Sequence, residues 1–216
     1  MSVKLVSVSQ PVVDGIQTAE DLMVYCARVS NPSNQLNTAT GAFLLAYCIK
    51  HGHWSVFETA SMTVEITTSR AIAAQILRHR SFSFQEFSQR YSEATGVEEV
   101  ELREQADKNR QSSTEIMPKR GFAGMVMRQA LASAQKAYQD LLEQGVAREC
   151  ARMVLPLATT TTLYMTGSVR SWIHYMAQRL DEHTQKEHRL IAEQVQSIFA
   201  AHFPVVNQAL KEYGTR

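Results

Sequence analysis

Apolar and polar residues recur along the chain with two different periods. From Ala60 to Thr67 an apolar residue falls at every second position, which is typical of a strand with one buried face. Runs at 3–8 and 157–166 also predict strands. Apolar residues at helical spacing predict helices at 18–28, 40–51, 70–79, 122–144, 146–155, 168–181, 184–201 and 204–213. Because strands and helices do not alternate regularly, their order predicts an α+β fold.

The same patterns predict where helices begin and which side chains they bury. Thr18 and Asp21, three positions apart, form a capping box at the start of the first helix. Inward-facing side chains are expected at Phe43, Leu44, Tyr47 and Cys48, at Met125, Ala130, Leu131, Ala134, Tyr138, Leu141 and Leu142, and at Val146, Cys150 and Val154. Gln75, Arg78 and His79 lie at i, i+3 and i+4 of one helix, so they can address a single ligand.

Length and composition favour one globular domain. The chain has 216 residues, of which 44% are hydrophobic and 20% are charged, and one domain accounts for them. Residues 94–120 are polar and weakly periodic, so we expect a surface excursion from that domain. No apolar run is long enough to cross a membrane and the N-terminus lacks a secretory signal, which predicts a cytoplasmic protein without a membrane partner.

Charge and cysteine usage narrow the chemistry further. The net charge of +1 provides no global field for nucleic acid, although 15 of the 22 basic residues are arginine, which favours local anion sites. Cys26, Cys48 and Cys150 are widely spaced and form no CxxC motif, so we expect reduced, mostly buried thiols. None of them stands out as a nucleophile, because a reactive thiol needs a cationic and partly exposed setting.

The densest polar cluster is RHRSFSFQEFSQRYS at 78–92. It holds three Arg, one His, one Glu and four Ser in 15 residues, and its Phe and Tyr rings could line a planar ligand. An exposed basic loop whose rings dock on the core is the plain structural interpretation. Binding of single-stranded nucleic acid also stays open, because arginine with aromatic residues suits that ligand.

The residues RHRSFSFQEFSQRYSE resemble the signature of the flavin-dependent thymidylate synthases, which is RHR, a short spacer and S-x-R-Y. The resemblance extends through GHWSVFE, RECARMVLPL, GSVRSWIHY and the segment from Arg179 through TQKEHR. It implies a single domain of the family's α+β fold, with a mixed or antiparallel sheet and several helices. It also implies a homotetramer with active sites at subunit interfaces.

The resemblance implies a reaction as well as a fold. The family makes dTMP from dUMP, with methylenetetrahydrofolate as carbon donor, FAD as cofactor and NADPH as reductant. No cysteine nucleophile takes part. The alternative function is a non-catalytic nucleotide or single-stranded nucleic-acid binding module, which would have no reason to retain FAD.

Two sets of ligand contacts carry over from the family's motifs. The residues matching flavin contacts are His53, Ser55, Arg78, His79, Arg80, Glu86, Ser168, Arg170 and His174. The residues matching dUMP contacts are Gln75, Arg78, Glu86, Ser88, Gln89, Arg90, Arg152 and Arg179. Some members carry Asn where this chain has Ser168 and His174, and Gly where it has Gln89.

Within the second set, the family places the 5′-phosphate at the Ser88–Arg90 loop with Arg152. Arg179 matches the arginine that faces the uracil and favours its ionised N3 form, so we expect it to be the catalytic side chain. Ser88 as a nucleophile is disfavoured because the sequence shows no Asp and His relay beside it.

A metal site is not expected from the histidine spacing. His183 and His188 are five residues apart, which does not give the i, i+4 alignment of a helical metal pair. The ordinary interpretation places both as exposed helix residues.

Overall fold

The computed structural model describes residues 1–94, 96–109 and 112–214. Its strands are β1 (Ser2–Val8), β2 (Ser61–Ser69), β3 (Ser83–Glu86), β4 (Arg103–Gln105), β5 (Ser113–Ile116) and β6 (Thr160–Ser168). Its α-helices are α1 (Ala19–Ala27), α2 (Gly41–Lys50), α3 (Arg70–Ile76), α4 (Phe122–Glu143), α5 (Arg148–Ala151), α6 (Val169–Arg179), α7 (Lys186–His202) and α8 (Pro204–Tyr213). Short 3₁₀ segments lie at Pro32–Asn34, Trp54–Glu58 and Arg152–Val154.

A four-stranded sheet has the order β1-β2-β6-β3, and β4 pairs with β5 in an antiparallel ribbon. Together with the helices this is the α+β class that the pattern predicted. The chain divides into two compact units. The first unit comprises Met1, Thr67–Arg78 and Glu86–Leu163, and the second comprises Ser2–Ile66, His79–Gln85 and Tyr164–Arg216.

The core of the second unit confirms the period-two pattern. Met62, Val64 and Ile66 of β2 are fully buried, as the alternation predicted. Trp172 of α6 is also fully buried, and its indole Nε1 donates a hydrogen bond of 2.9 Å to the carbonyl oxygen of Met62. This bond satisfies the polar atom of the largest side chain in that core.

Local capping signals predicted the helix ends well. Thr18 and Asp21 form both hydrogen bonds of a capping box at the start of α1. Ser168 begins α6, where its side chain accepts from the backbone N–H of Ser171. Gly52 follows α2 with a φ of +70°, a left-handed conformation that favours glycine.

The buried face of α2 agrees with the predicted one at Cys48 but not at Phe43 and Tyr47. Phe43 is 79% exposed and Tyr47 is 53% exposed, whereas the buried residues of the helix are Gly41, Leu45, Cys48 and Ile49. Two apolar stripes share this helix, and α8 packs against α2. Periodicity cannot choose between two stripes that both have helical spacing.

In the first unit, the long helix is confirmed, and its predicted burial is confirmed at Tyr138 but not at every position. Gly124 and Tyr138 are the buried residues of α4, while Met125 and Ala130 are exposed. The predicted excursion at 94–120 contains the β4–β5 ribbon, and its positions 95, 110 and 111 lie outside the described residues.

Two further predictions in this part of the chain were wrong. Strand β6 begins at Thr160 instead of residue 157, because the backbone turns between Pro156 and Thr159, whose N–H bonds the Pro156 carbonyl. The helix predicted at 146–155 is the short α5 followed by a 3₁₀ turn, so Cys150 is exposed and Ala151 takes the buried position.

The remaining helices agree closely with the pattern. Helix α8 spans the predicted residues, and α7 begins two residues later than expected. Helix α3 ends at Ile76, three residues before the predicted end. Within the described residues, no helix combines the length and the apolar character needed to cross a membrane.

Candidate active site

In the second unit, four side chains pack together where α6 ends and α7 begins. We call His79, Tyr175, Arg179 and His188 the imidazole cluster. Arg179 Nε donates a hydrogen bond of 2.9 Å to His79 Nε2. An imidazole nitrogen that accepts has no proton of its own, so His79 is neutral here and carries its proton on Nδ1.

Rings from two helices surround the His79 imidazole. The Tyr175 ring of α6 lies with its centroid 5.0 Å from that of His79, and the His188 ring of α7 lies at 6.1 Å, perpendicular to it. Tyr175 and His188 contact each other with centroids 5.8 Å apart. The orientation of His79 is therefore set by packing as well as by its hydrogen bond to Arg179.

Burial and the neighbouring cation keep both imidazoles of the cluster uncharged. Burial first, and then Arg179, lowers the pKa of His79 from 6.5 to about 4. Burial, followed by Arg179 and His79, lowers the pKa of His188 from 6.5 to about 3. Burial also raises the pKa of the Tyr175 phenol above its usual value. Arg179 is thus the charged member of the cluster at neutral pH.

The expectation that His188 is exposed was wrong. His188 is 0% exposed, whereas His183 is exposed as predicted. His188 belongs to the buried stripe of α7, which continues at Ile191, Ala192, Val195 and Phe199. The helical spacing of that stripe was the signal that the sequence analysis overlooked.

Helix α3 ends at Ile76, so Arg78 and His79 lie beyond the helix on which a shared face with Gln75 was predicted. Gln75 is half-buried and the Arg78 side chain is exposed in the first unit, whereas His79 is in the second. Arg80 is exposed in the second unit. Within the described residues, the guanidinium groups of Arg78 and Arg80 have no ion-pair or hydrogen-bond partner, which suits both for anionic ligands.

A second group of predicted residues meets where α6 packs on the 3₁₀ segment Trp54–Glu58. Arg170 pairs with Glu58 at 3.0 Å, and His174, one turn later, contacts the Trp54 ring edge-on with centroids 5.1 Å apart. Burial and then Arg170 lower the pKa of His174, and Glu58 opposes this shift. Ser55 is exposed on the same 3₁₀ segment, so these residues form a polar surface with an aromatic component.

His53 belongs to an aromatic group at the end of α2. The Tyr47 ring lies 4.3 Å from the His51 ring and 5.8 Å from the His53 ring, between centroids. Tyr47 also lines a cavity of about 480 Å³ with Phe43, whose exposure the sequence did not predict. The rings are therefore available to a planar ligand.

Arg28 is a residue of that cavity which the sequence analysis missed. Its guanidinium donates to the carbonyl oxygens of Asn34 and Asn37 and, at 2.7 Å, to the hydroxyl of Thr40. These bonds connect the end of α1 to the start of α2, so Arg28 builds the wall of the cavity.

In the first unit, the predicted phosphate residues lie around one acidic residue. We call Ser88, Arg90, Glu149 and Arg152 the phosphate cluster. Arg90 Nη2 lies 3.2 Å from Glu149 Oε2, and Arg152 Nε donates to the Glu149 carbonyl oxygen at 3.3 Å. The Ser88 hydroxyl accepts from the Arg90 N–H at 3.4 Å. Two cations far apart in the sequence thus share one neighbour, which the sequence analysis did not include.

Within the first unit, Gln89 is buried and Glu86 already has hydrogen-bond partners. Some family members have Gly at the position of Gln89. Gln89 is 6% exposed, so its side chain is directed into the protein and away from the surface of the turn. Glu86 Oε1 accepts from Arg70 Nη1 and from the Thr161 hydroxyl, each at 2.9 Å. Arg70 and Thr161 are further partners that the sequence alone did not reveal.

Comparison with known proteins decides the family. The model of the Thymidylate synthase complementing protein family matches residues 11–205. The chain is 51% identical to a flavin-dependent thymidylate synthase of Synechocystis over 98% of this chain and 100% of that protein. The chain belongs to the flavin-dependent thymidylate synthase family.

Two other relatives agree with this assignment. A probable flavin-dependent thymidylate synthase of Paramecium bursaria Chlorella virus 1 is 51% identical over 97% of this chain and 99% of its own. The crystal structure of a UMP/dUMP methylase, PolB from Streptomyces cacaoi bound with 5-Br dUMP, superimposes with a TM-score of 0.85 at 28% identity. It covers 99% of this chain and 96% of that chain.

Family membership confirms what the RHR and S-x-R-Y signature implied about the class of protein. The chain is an enzyme of the flavin-dependent thymidylate synthase class, with FAD as cofactor, NADPH as reductant and methylenetetrahydrofolate as co-substrate. In the part of the chain that the structure describes, no three His, Cys, Asp or Glu side chains come together as a metal site.

The residues present fit a flavin dinucleotide. Arg80 offers an unpaired guanidinium for phosphate, and Trp54 and His174 offer ring surfaces beside Arg170. His79 Nε2 is occupied by Arg179, so His79 can contact a flavin through Nδ1–H. The Ser168 hydroxyl caps α6 and also lies 3.2 Å from the Ser171 hydroxyl, which itself donates to the Ser81 carbonyl oxygen, so a ligand would meet Ser168 through its oxygen.

Proposed function

We propose that this chain methylates the uracil ring of dUMP to form dTMP through the residues described above. The transferred carbon arrives as a methylene group and leaves as a methyl group, so two electrons are required, and NADPH supplies them. FAD, when bound, carries these electrons to the carbon. The observation that carries the proposal is the meeting of Arg90 and Arg152 at Glu149, because it prepares an anion site at signature residues.

In this proposal the phosphate cluster binds the 5′-phosphate of dUMP. Phosphate replaces the Glu149 carboxylate at Arg90, and the Ser88 hydroxyl and the N–H of Gln89 donate to it. The buried Gln89 side chain leaves its backbone N–H in the turn, so its difference from Gly is compatible with this role. Gln75, Arg78 and Glu86 complete the substrate set, Glu86 through the oxygen that Arg70 does not occupy.

Arg179 acts on the uracil as a fixed cation. The Nε of Arg179 donates to His79, and among the described residues the terminal nitrogens of Arg179 have no hydrogen-bond partner. These terminal groups favour the deprotonated form of uracil N3, which raises the electron density of the ring carbon that receives the methylene group. The cation needs no reorganisation during the reaction because the imidazole cluster already holds it.

The flavin residues hold the cofactor rather than react. Arg78, Arg80 and Arg170 neutralise its phosphates, and Ser55, Ser168, His79 and Glu86 provide hydrogen bonds. His53 and His174 provide ring surfaces. The proposed role of the protein is thus binding, orientation and charge, as is general for cofactor enzymes.

The visible absorption spectrum tests this proposal. After incubation with FAD and removal of free flavin, we expect the protein to keep its flavin bands and dUMP to shift them. Deoxyuridine, which lacks the phosphate, should cause little shift at the same concentration. A protein that takes up no FAD and binds polynucleotide with steep salt dependence is the binding module instead.

The proposal extends to a homotetramer. Helix α4 exposes Phe122, Met125 and Val126, with Phe122 78% exposed, and apolar groups of this kind mark association surfaces. Light scattering should give the mass of a tetramer, and a monomer with full activity would contradict active sites at subunit interfaces. The cytoplasmic location and the single domain over residues 1–216 stay predictions.

A further inference from the structure

The imidazole cluster contains a residue for which the reaction has no direct use. His188 is fully buried in the first turn of α7, behind His79, and its ring contacts both His79 and Tyr175. An imidazole is a costly choice for a position that only needs volume, because leucine fills a core without polar atoms to satisfy.

We propose that His188 is a positioning residue, which fixes the ring plane and tautomer of His79 and thereby aims the guanidinium of Arg179. This inference rests on the proposed role of Arg179 at the uracil. It adds a chain of contacts that runs from α7 through His79 to the end of α6.

The first step of the argument is geometric. The His79 ring has the Tyr175 ring on one helix and the His188 ring on another, at centroid distances of 5.0 and 6.1 Å and near-perpendicular orientation. Perpendicular rings prefer to place an edge against a face, so they resist rotation of the ring between them. His79 therefore cannot turn about its χ2 angle without disturbing both neighbours.

The second step concerns the His79–Arg179 hydrogen bond. It requires Nε2 of His79 to be the acceptor, because the opposite tautomer or a protonated ring would present a donor to a guanidinium that only donates, and a flipped ring would present a carbon. The opposite tautomer of His79 would thus leave Arg179 Nε without an acceptor inside the cluster. Fixing the ring fixes the acceptor.

The third step concerns Arg179 itself. Its Nε is its anchor, and the terminal nitrogens extend from that anchor as a planar fork. A rotation at the anchor displaces the whole fork, and misplacement of a catalytic group by about 1 Å can cost as much as a hundredfold in rate. The packing of His188 is thus transmitted to the groups that would face the substrate.

Histidine NMR of the wild-type holoenzyme, loaded with FAD, tests the inference without any variant at position 188. Ring ¹⁵N spectra of histidine-labelled protein, with His79→Gln used to assign the signal, report which nitrogen carries the proton. We expect His79 to be neutral with its proton on Nδ1. A proton on Nε2 would overturn the inference, whether or not any variant folds.

The variant His188→Leu then isolates the positioning role, and His202→Leu is its matched control. His202 is exposed on the same helix, so its loss removes an imidazole outside the cluster. We expect His188→Leu to retain FAD and the KM for dUMP while kcat falls by about tenfold and the His79 signal shows mixed tautomers. His202→Leu should match the wild type in all four quantities.

The result opposed to the inference is also distinct from failure of the proposed function. Wild-type kcat together with an unchanged His79 tautomer in His188→Leu would reduce His188 to a packing residue. Wild-type turnover by Arg179→Ala would instead remove Arg179 from the reaction, and the proposed function would fail on that point while the tautomer of His79 stayed as expected.

Discussion

The phosphate cluster and the imidazole cluster both depend on arginine, but they prepare it in opposite ways. In the first unit, Arg90 and Glu149 are each 57% exposed and pair across water-accessible space. In the second unit, Arg179 is held by a neutral histidine among buried rings. Exposed charges attract a ligand and adjust to it, whereas a buried anchor fixes direction. The difference supports the proposal that the phosphate cluster captures the substrate and the imidazole cluster takes part in the chemistry.

The largest effect is expected for the variant Arg179→Ala, which tests the proposed catalytic role of the imidazole cluster. We expect kcat to fall by about a thousandfold, because a preorganised cation at developing negative charge contributes on that scale. The flavin spectrum of the purified variant should remain, since the proposed phosphate contacts of FAD lie elsewhere. Steady-state kinetics measure the loss.

The control for this variant is Arg189→Ala. Arg189 is in the same unit, on α7, but its partners are Glu193 and the Glu182 carbonyl, outside the imidazole cluster. It should retain wild-type kcat. Equal losses in both variants would show that general electrostatics of this unit, and not the position of Arg179, supports turnover.

The second-largest effect concerns binding of dUMP by the phosphate cluster. Arg152→Ala should raise the KM for dUMP by about tenfold to a hundredfold with a much smaller change in kcat, because a phosphate contact made in ground and transition state alike contributes uniform binding. The defect should shrink when salt is added, since the wild-type contact is screened. Initial rates over a range of dUMP and salt concentrations provide the test.

Arg128→Ala serves as the control for Arg152. Arg128 is an exposed cation of the same unit that bonds the Lys119 carbonyl oxygen. It should leave the KM unchanged. A kcat defect without a KM defect in Arg152→Ala would place that side chain outside the phosphate site.

The pH dependence of stability sharpens the contrast in burial. The pKa of His188 is about 3 in the folded protein and 6.5 in the unfolded chain. As the pH falls, the unfolded chain therefore takes up a proton at a higher pH than the folded protein does. Its stabilising contribution is complete above 6.5 and is lost progressively below it. Between pH 7 and pH 5 this one group costs about 2 kcal/mol of unfolding free energy.

Urea unfolding at the two pH values measures that loss. His188→Leu should lose about 2 kcal/mol less than the wild type on acidification. His202→Leu should lose as much as the wild type, because His202 is exposed. If His188→Leu shows the full wild-type loss, His188 is not the buried neutral group described here.

The smallest effect is expected for Tyr175→Phe. The Tyr175 hydroxyl is buried and, among the described residues, has no hydrogen-bond partner, so its ring and not its oxygen supports His79. Removing an unsatisfied buried polar atom is close to neutral or stabilising. We expect kcat within about twofold of wild type and an unchanged or raised Tm. A loss of activity like that of His188→Leu would assign the hydroxyl a role.

Sequence reasoning succeeded where the signal is local. The capping box of Thr18 and Asp21, the alternation in β2 and the start of α8 at Pro204 each depend on a few neighbouring residues. The RHR and S-x-R-Y signature likewise identified the family from one short segment.

It failed where distant parts of the chain decide the outcome. Two apolar stripes compete on α2, and tertiary packing, most extensively against α8, buries Leu45 and leaves Phe43 exposed. His188 has the helical spacing to Ile191 and Val195 that indicates the core, but a histidine is a polar residue and its type alone predicts exposure. Glu149 could not be connected to Arg90 from sequence, since the contact spans fifty-nine positions.

The Arg90–Glu149 pair also makes the protein its own competitive inhibitor. A carboxylate tethered beside Arg90 has an effective concentration of about millimolar or above, so in the proposed phosphate site dUMP would have to displace it. The apparent Kd for the nucleotide is then the intrinsic Kd divided by the fraction of molecules in which the Arg90–Glu149 pair is open. Such a competitor never leaves and cannot be diluted, so in the proposed site it would weaken nucleotide binding by the same modest factor at every nucleotide concentration.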